Sequence, residues 1–181
     1  KIWDDSSNAA GERPASIIVE LLKNGVVTDS RTLTGTGDSW SGSFTGLPKY
    51  ESGMLISYSV KEQTVPSNYT MNIPGTTITN TYAPDKTSVS VTKVWDDSLD
   101  QDRKRGSYGV TLYADGTAVG SEVTLTKTDL TYTWSDLPKY KNGGTLIKYT
   151  VKETKVPDGY TEVITGTAAT GYTVTNSHTP E

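Results

Sequence analysis

Alternating apolar and polar positions along the chain predict β-strands. In residues 89–97, the apolar residues Val89, Val91 and Trp95 fall on one face, and Lys93 falls on the same face. This follows because successive side chains of a strand point to opposite sides of the sheet. Burying an ammonium costs several kcal/mol unless it is paired or loses its proton. We therefore predict that Lys93 has partners inside a core.

The chain contains an internal repeat. The blocks KIWDD, IIVELL, LPKY, YSVKE and ITNT of the first half recur in the same order as KVWDD, YGVTLY, LPKY, YTVKE and VTNS. The two sets are offset by roughly ninety residues, a period that indicates two homologous domains. We place the first domain at residues 1–84 and the second at residues 85–181, with the boundary in a short segment that Pro84 stiffens.

Each half is predicted to contain about seven short strands separated by Gly, Pro, Asn and Asp turns. The composition is rich in Thr, Val and Tyr, and long helical periodicity is absent. This pattern is typical of an all-β protein made of two tandem β-sandwich domains. The strands predicted in the first half are residues 1–3, 16–23, 26–33, 39–47, 56–63, 69–73 and 76–82.

Two further polar residues of each half share the parity of the apolar side chains in their strands. Glu153 does so in the block YTVKE, and Asn176 does so in the last strand. Glu62 and Asn80 occupy the matching positions in the first half. Each domain is thus predicted to point one Lys, one Glu and one Asn into its core, namely Lys1, Glu62 and Asn80, and Lys93, Glu153 and Asn176.

These three residue types can form an intramolecular amide. Burial lowers the pKa of a lysine and raises that of a glutamic acid, so the neutral pair can prevail in an apolar pocket. The lysine nitrogen could then attack the asparagine carbonyl carbon while the glutamic acid relays protons to the departing ammonia. Such a reaction is a single-turnover self-crosslink, not an enzyme activity. Two alternatives are a Lys–Glu salt bridge with Asn as a bystander, and a lysine that reaches solvent.

Composition excludes several classes of function. The net charge of −4 and the pI near 5.1 argue against a nucleic-acid partner. No apolar run is long enough to span a bilayer. The absence of cysteine excludes disulfides, and a single histidine, His178, cannot build a histidine metal cluster or a Ser-His-Asp triad. We predict no cofactor and no metal.

Residues 96–102 have oxygen ligands at alternate positions, as in a calcium loop. They lack the glycine and the distal glutamate of an EF-hand, and three basic residues follow directly. A solvated loop is the favoured interpretation. Trp40, Phe44 and Trp134 are predicted to fill the sandwich cores, since a carbohydrate-binding platform would need exposed rings.

The strings KVWDD, LPKY, YTVKE and TNS or TNT, in this order and twice over, resemble the Cna B-type domain of Gram-positive adhesins and pilins. The resemblance covers essentially the whole chain. It implies a reverse immunoglobulin-like, prealbumin-like sandwich with a Lys–Asn isopeptide bond that an acidic residue promotes. Carried to this sequence, the bonds would join Lys1 to Asn80 and Lys93 to Asn176. Glu62 and Glu153 would be the promoting acids.

The function predicted from this resemblance is structural. The chain would form stalk domains of an adhesin or pilin on the cell surface, anchored to the cell wall. It would be a monomer whose neighbours are further repeats and a separate binding domain, and its crosslinks would need no partner. One alternative is a module that itself binds host matrix or glycan, and another is an accessory domain of a secreted hydrolase. The pattern begins at Lys1, so half of the first strand is expected to be missing and docking there is less assured.

Overall fold

The computed structural model describes residues 1–180, and these contain strands and no helix. No helix that could span a membrane therefore occurs in this part of the chain. The chain divides into two compact units. The first comprises Lys1–Asp85 and Tyr140–Thr145, and the second comprises Lys86–Lys139 and the residues from Leu146 onward.

The first unit has two three-stranded sheets and a short hairpin. One sheet has the order Ile2–Asp4 (β1), Thr79–Thr81 (β8) and Thr70–Asn72 (β7), in which β1 and β8 run parallel, and the other has the order Val26–Thr34 (β3), Ser16–Lys23 (β2) and Tyr58–Glu62 (β6). Apolar side chains of both sheets pack into one core that includes Trp3, Val19 and Ile78. The strands are β1 (Ile2–Asp4), β2 (Ser16–Lys23), β3 (Val26–Thr34), β4 (Tyr50–Glu51), β5 (Met54–Leu55), β6 (Tyr58–Glu62), β7 (Thr70–Asn72) and β8 (Thr79–Thr81).

The second half of the chain repeats this plan, its first and last strands are longer than those of the first half, and its residues Tyr140–Thr145 are grouped with the first compact unit. Its strands are β9 (Lys86–Asp96), β10 (Tyr108–Ala114), β11 (Thr117–Ala118), β12 (Val123–Leu125), β13 (Thr131–Pro138), β14 (Tyr140–Lys141), β15 (Thr145–Leu146), β16 (Tyr149–Lys155), β17 (Thr161–Thr167) and β18 (Gly171–Ser177). One sheet has the order β13-β9-β18-β17, and in the other β10 pairs with β11, β12 and β16. Val89, Val110, Leu112 and Val174 are among the residues of the core between them. The predicted all-β sandwich class is confirmed.

The strand predicted at residues 39–47 is wrong. The segment makes only one isolated bridge, between Ile2 and Ser39. In the second unit the matching strand, β13, pairs with the part of β9 that lies before Lys93, for example Thr131 with Thr92. Residues 41–47 pair with no strand among the described residues.

This difference leaves the first sandwich more open than the second. Leu47 is 40% exposed, whereas its counterpart Leu137 is 8% exposed. A groove of about 450 Å³ lies beside Leu33, Phe44 and Leu47. Packing around the candidate lysine of the first unit is therefore less complete on this side.

Candidate isopeptide site

The strands place each candidate residue of the second unit by simple pairing. Parallel pairing of β9 with β18 sets Lys93 beside Val174 and Trp95 beside Asn176. Glu153 lies on the facing sheet, where β16 pairs with β10. Lys93 and Asn176 thus project from neighbouring strands toward a carboxylate of the opposite sheet. The same pairing of first and last strands occurs in the first unit, where Trp3 lies beside Asn80.

The structure brings Lys93, Glu153 and Asn176 into direct contact. Nζ of Lys93 donates a hydrogen bond of 2.5 Å to Oε1 of Glu153, and Nδ2 of Asn176 donates one of 3.0 Å to the same oxygen. The side chains of Lys93 and Glu153 are fully buried. A nucleophile, a carboxyl group and an amide therefore share one buried pocket.

The first unit contains the same cluster. Nζ of Lys1 donates a hydrogen bond of 2.9 Å to Oε2 of Glu62, and Nδ2 of Asn80 donates one of 3.2 Å to Oε1. The side chains of Lys1 and Glu62 are also fully buried. In this cluster the lysine and the asparagine contact different oxygens of the carboxylate, whereas in the second unit they share one.

Aromatic rings enclose both lysine nitrogens. Nζ of Lys93 lies 4.3 Å from the ring centre of Tyr108 and 4.6 Å from that of Trp95. Nζ of Lys1 lies 4.3 Å from the ring centre of Trp3. Desolvation by these surroundings lowers the pKa of both lysines, although the neighbouring glutamates act in the opposite direction. Lowering this pKa increases the share of the neutral amine, which is the nucleophilic form.

The asparagine carbonyl oxygens are buried and lack a hydrogen-bond partner among the described residues. This holds for Oδ1 of both Asn80 and Asn176. The amide donates to the glutamate in each cluster, an arrangement that suits an ionised carboxylate, which can only accept. If the side-chain amide of the asparagine flips, so that Oδ1 and Nδ2 exchange positions, a protonated glutamic acid can instead donate a hydrogen bond to Oδ1. The buried oxygen therefore marks where charge would develop on the carbonyl group.

Sequence reasoning missed a second buried cluster next to this pocket. Asp97 is 2% exposed and accepts hydrogen bonds from Nε and Nη2 of Arg105 and from the hydroxyl of Tyr160. Desolvation disfavours the charged form of Asp5, the counterpart of Asp97, but hydrogen bonds from Arg13, from the Asn8 amide and from Tyr69 outweigh it and lower the pKa. The available signal was an arginine eight positions after the second aspartate of WDD in both halves.

The interpretation of residues 96–102 as a solvated loop is wrong at Asp97, which is buried. The other acidic groups of the loop bind protein donors: Asp100 accepts from the Arg105 amide and from Nζ of Lys127, and Asp102 contacts Nε2 of His178. No group of three potential metal ligands occurs in the described part of the chain.

The aromatic side chains follow the prediction more closely, since Trp40 is buried, and Phe44 and Trp134 pack against the two cores.

Two tandem β-sandwiches, each with a buried Lys–Glu–Asn cluster joining its first and last strands to the facing sheet, define a protein built of repeated β-domains. The chain belongs to the family of the Cna protein B-type domain, whose family model matches residues 1–81 and 89–177. It is 43% identical to the collagen adhesin of Staphylococcus aureus over 184 residues. That alignment covers 100% of this chain and 15% of the length of the adhesin.

Two solved structures of the collagen-binding surface protein of Staphylococcus aureus are also similar. One is a single B repeat unit, with 40% identity and a TM-score of 0.49, covering 99% of this chain and 95% of that chain. The other contains two B repeat units, with 41% identity and a TM-score of 0.49, covering 99% of this chain and 48% of that chain.

Proposed function

We propose that the chain forms structural stalk domains of a Gram-positive surface adhesin or pilin, each locked by a self-formed Lys–Asn isopeptide bond. The bonds would join Lys1 to Asn80 and Lys93 to Asn176. The observation that carries the proposal is the shared contact of the Lys93 and Asn176 side chains with one buried oxygen of Glu153. Such preorganisation places a nucleophile next to its target at high effective concentration.

The reaction begins with proton transfer from Nζ of Lys93 to Glu153, which converts a buried ion pair into a neutral pair. The neutral nitrogen attacks Cγ of Asn176, while the protonated Glu153 donates to Oδ1 and stabilises the developing charge. One proton then passes from the lysine nitrogen to the amide nitrogen, the C–N bond of the amide breaks, and ammonia leaves. The product is a secondary amide between Nζ and Cγ, and the same steps apply to Lys1, Glu62 and Asn80.

The topology gives this bond a mechanical consequence. It joins the first and last strands of a sandwich, which already pair in parallel. Force applied at the two ends of a domain would pass through the covalent link and bypass the strands between. Closing a loop of about 80 residues would also stabilise each domain by about 4 to 5 kcal/mol, by analogy with disulfide loop entropy.

Relatives support a role at the cell surface. The family match spans both halves, and one relative of the chain is a collagen adhesin. Because this chain covers 15% of that adhesin, we assign collagen binding and wall attachment to other parts of such a protein. The alternative of a glycan-binding platform is not favoured, since Trp40 is buried and Trp134 packs against a core.

The intact mass of the denatured chain tests the proposal. We expect a deficit of two ammonia molecules, with Lys1 linked to Asn80 and Lys93 to Asn176 by peptide mapping. Lys93→Met is the matched control, and it should reduce the mass deficit from two ammonia molecules to one, because it removes one nucleophile. An unmodified mass for the unaltered chain would refute the crosslinks. A deficit of one would restrict the proposal to the domain in which it maps.

A further inference from the structure

We propose that Glu162 is a positioning residue that sets the protonation state of Glu153 and thereby makes crosslinking in the second domain depend on pH. This inference rests on the proposed crosslink. Glu162 is an exposed residue of β17, an edge strand, and it was not among the candidates that the repeat predicts.

The register of β17 brings Glu162 to the site. It lies directly opposite Asn176 in the antiparallel pairing with β18. It also shares parity with Tyr160, which is buried, and Ile164, which packs against the core, so its side chain belongs to the inner face at the rim of the sandwich. Because Asn176 donates a hydrogen bond to Glu153, this register brings the carboxyl of Glu162 toward that of Glu153. It therefore connects the buried acid with the solvent edge of the sheet.

An unsatisfied oxygen of Glu153 points to the same pairing. Both hydrogen bonds to this glutamate use Oε1, and the buried Oε2 has no partner among the described residues. In the first unit both oxygens of Glu62 are engaged, one by Lys1 and the other by Asn80. A protonated carboxyl at position 162 can donate to Oε2 of Glu153, which an ionised one cannot do. Two carboxyls would then share one proton.

The charge of Glu162 decides which tautomer of the Lys93–Glu153 pair is favoured. Partial desolvation at the rim of the sandwich, followed by the negative charge of Glu153, raises the pKa of Glu162, while the positive charge of Lys93 opposes this shift more weakly. Asn176, the third group facing Glu162, is neutral. An ionised Glu162 repels the carboxylate of Glu153 and so moves a proton from Lys93 to Glu153. A protonated Glu162 instead holds Glu153 as a carboxylate and preserves the unreactive ion pair.

The first domain supplies a natural control. The residue opposite Asn80 in the pairing of β7 with β8 is Met71, which carries no charge. The two sites thus share the nucleophile, acid and amide but differ at this position. Only the second site should have a crosslinking rate that follows the titration of a nearby carboxyl.

The first experiment follows both crosslinks in freshly synthesised chain from about pH 4 to about pH 8, a range that spans a glutamate titration. Domain-resolved peptide mass spectrometry measures each ammonia loss. We expect the rate in the second domain to rise with pH in the unaltered chain. The Glu162→Gln variant keeps a side-chain amide that can donate to Oε2. Its crosslinking rate in the second domain at neutral pH should fall about tenfold, which corresponds to a change of one pKa unit in the Lys93–Glu153 pair, and should no longer rise with pH. Unchanged rate and profile in the variant would overturn the inference.

The first domain should behave identically in both chains, which separates a local effect from a general one.

A second measurement does not depend on the crosslink. Asn176→Ala removes the electrophile, and carboxyl carbon NMR can then follow Glu162 and Glu153 during titration. We expect Glu162 to titrate above the ordinary glutamate range and the Glu153 carbon to report the same step. Ordinary titration without that step would overturn the inference, even if the unaltered chain lost no ammonia and the proposed function failed.

Discussion

The guanidinium of Arg105 binds the carboxylate of Asp97 through two hydrogen bonds, from Nε at 2.6 Å and from Nη2 at 2.5 Å. The same guanidinium lies 5.6 Å from the ring centre of Trp95, which in turn encloses Nζ of Lys93. Arg13, Asp5 and Trp3 repeat these contacts in the first unit, where Arg13 also donates a hydrogen bond to Asp38. The buried ion pair therefore supports the aromatic wall of each candidate site.

Removing the cation of this pair should destabilise the second domain. We expect Arg105→Met to lower its free energy of unfolding by about 3 to 5 kcal/mol, because Asp97 would remain buried without its partner. Native-state hydrogen exchange measures the change, with first-domain amides as the reference. The control is Lys104→Met at an exposed neighbour, which should change stability by less than about 0.5 kcal/mol. Equal effects of the two substitutions would contradict the prediction.

The aspartate of the pair should make the second domain sensitive to acid. The hydrogen bond from Arg105 lowers the pKa of Asp97 well below its usual range. Its folded pKa is thus below its unfolded value of about 3.9, so the stabilisation is present above about pH 4 and is lost as the pH falls further. Urea unfolding at decreasing pH should show this loss, and Asp97→Asn should remove it. Asp96→Asn, at an exposed neighbour, is the control. If Asp97→Asn loses stability in acid as much as the unaltered chain does, Asp97 is not the source of the acid sensitivity.

Each promoting acid should act only within its own domain. We expect Glu153→Gln to abolish the Lys93–Asn176 bond and leave the Lys1–Asn80 bond intact, because glutamine keeps the shape but cannot take the lysine proton. Glu62→Gln should show the reverse. Denatured intact mass and peptide mapping read both outcomes, and one ammonia should be retained in each variant. Crosslinking at the normal rate in Glu153→Gln would exclude a proton-relay role.

The more open core of the first unit should tolerate truncation better. Leu137→Ala is expected to cost about 2 to 4 kcal/mol, since the side chain is buried and leaves a cavity. Leu47→Ala, at the matching position, should cost less than about 1 kcal/mol because Leu47 is 40% exposed beside the groove. Hydrogen exchange of each domain compares the two variants. Equal costs would show that the groove closes in solution.

Much of the fold and the residues of the candidate site could be predicted from alternation. Lys93 lies on the buried face of its strand, as do Glu153 and Asn176, because side-chain direction in a strand depends only on parity. The internal repeat then supplied an independent second copy of the same pattern. Local periodicity and repetition were therefore enough to select residues far apart in the chain, although not to give the distances between them.

The sequence by itself determined the all-β class, the repeat and the inward parity of the Lys, Glu and Asn residues, since these depend on the order of side chains within each strand. Tertiary structure decided the rest. Burial of Asp97, the absence of a strand at residues 39–47 and the position of Glu162 opposite Asn176 all depend on which segments become neighbours. That choice is made by sheet pairing and by packing between sheets, which join residues distant in sequence and leave no periodic signal in either partner.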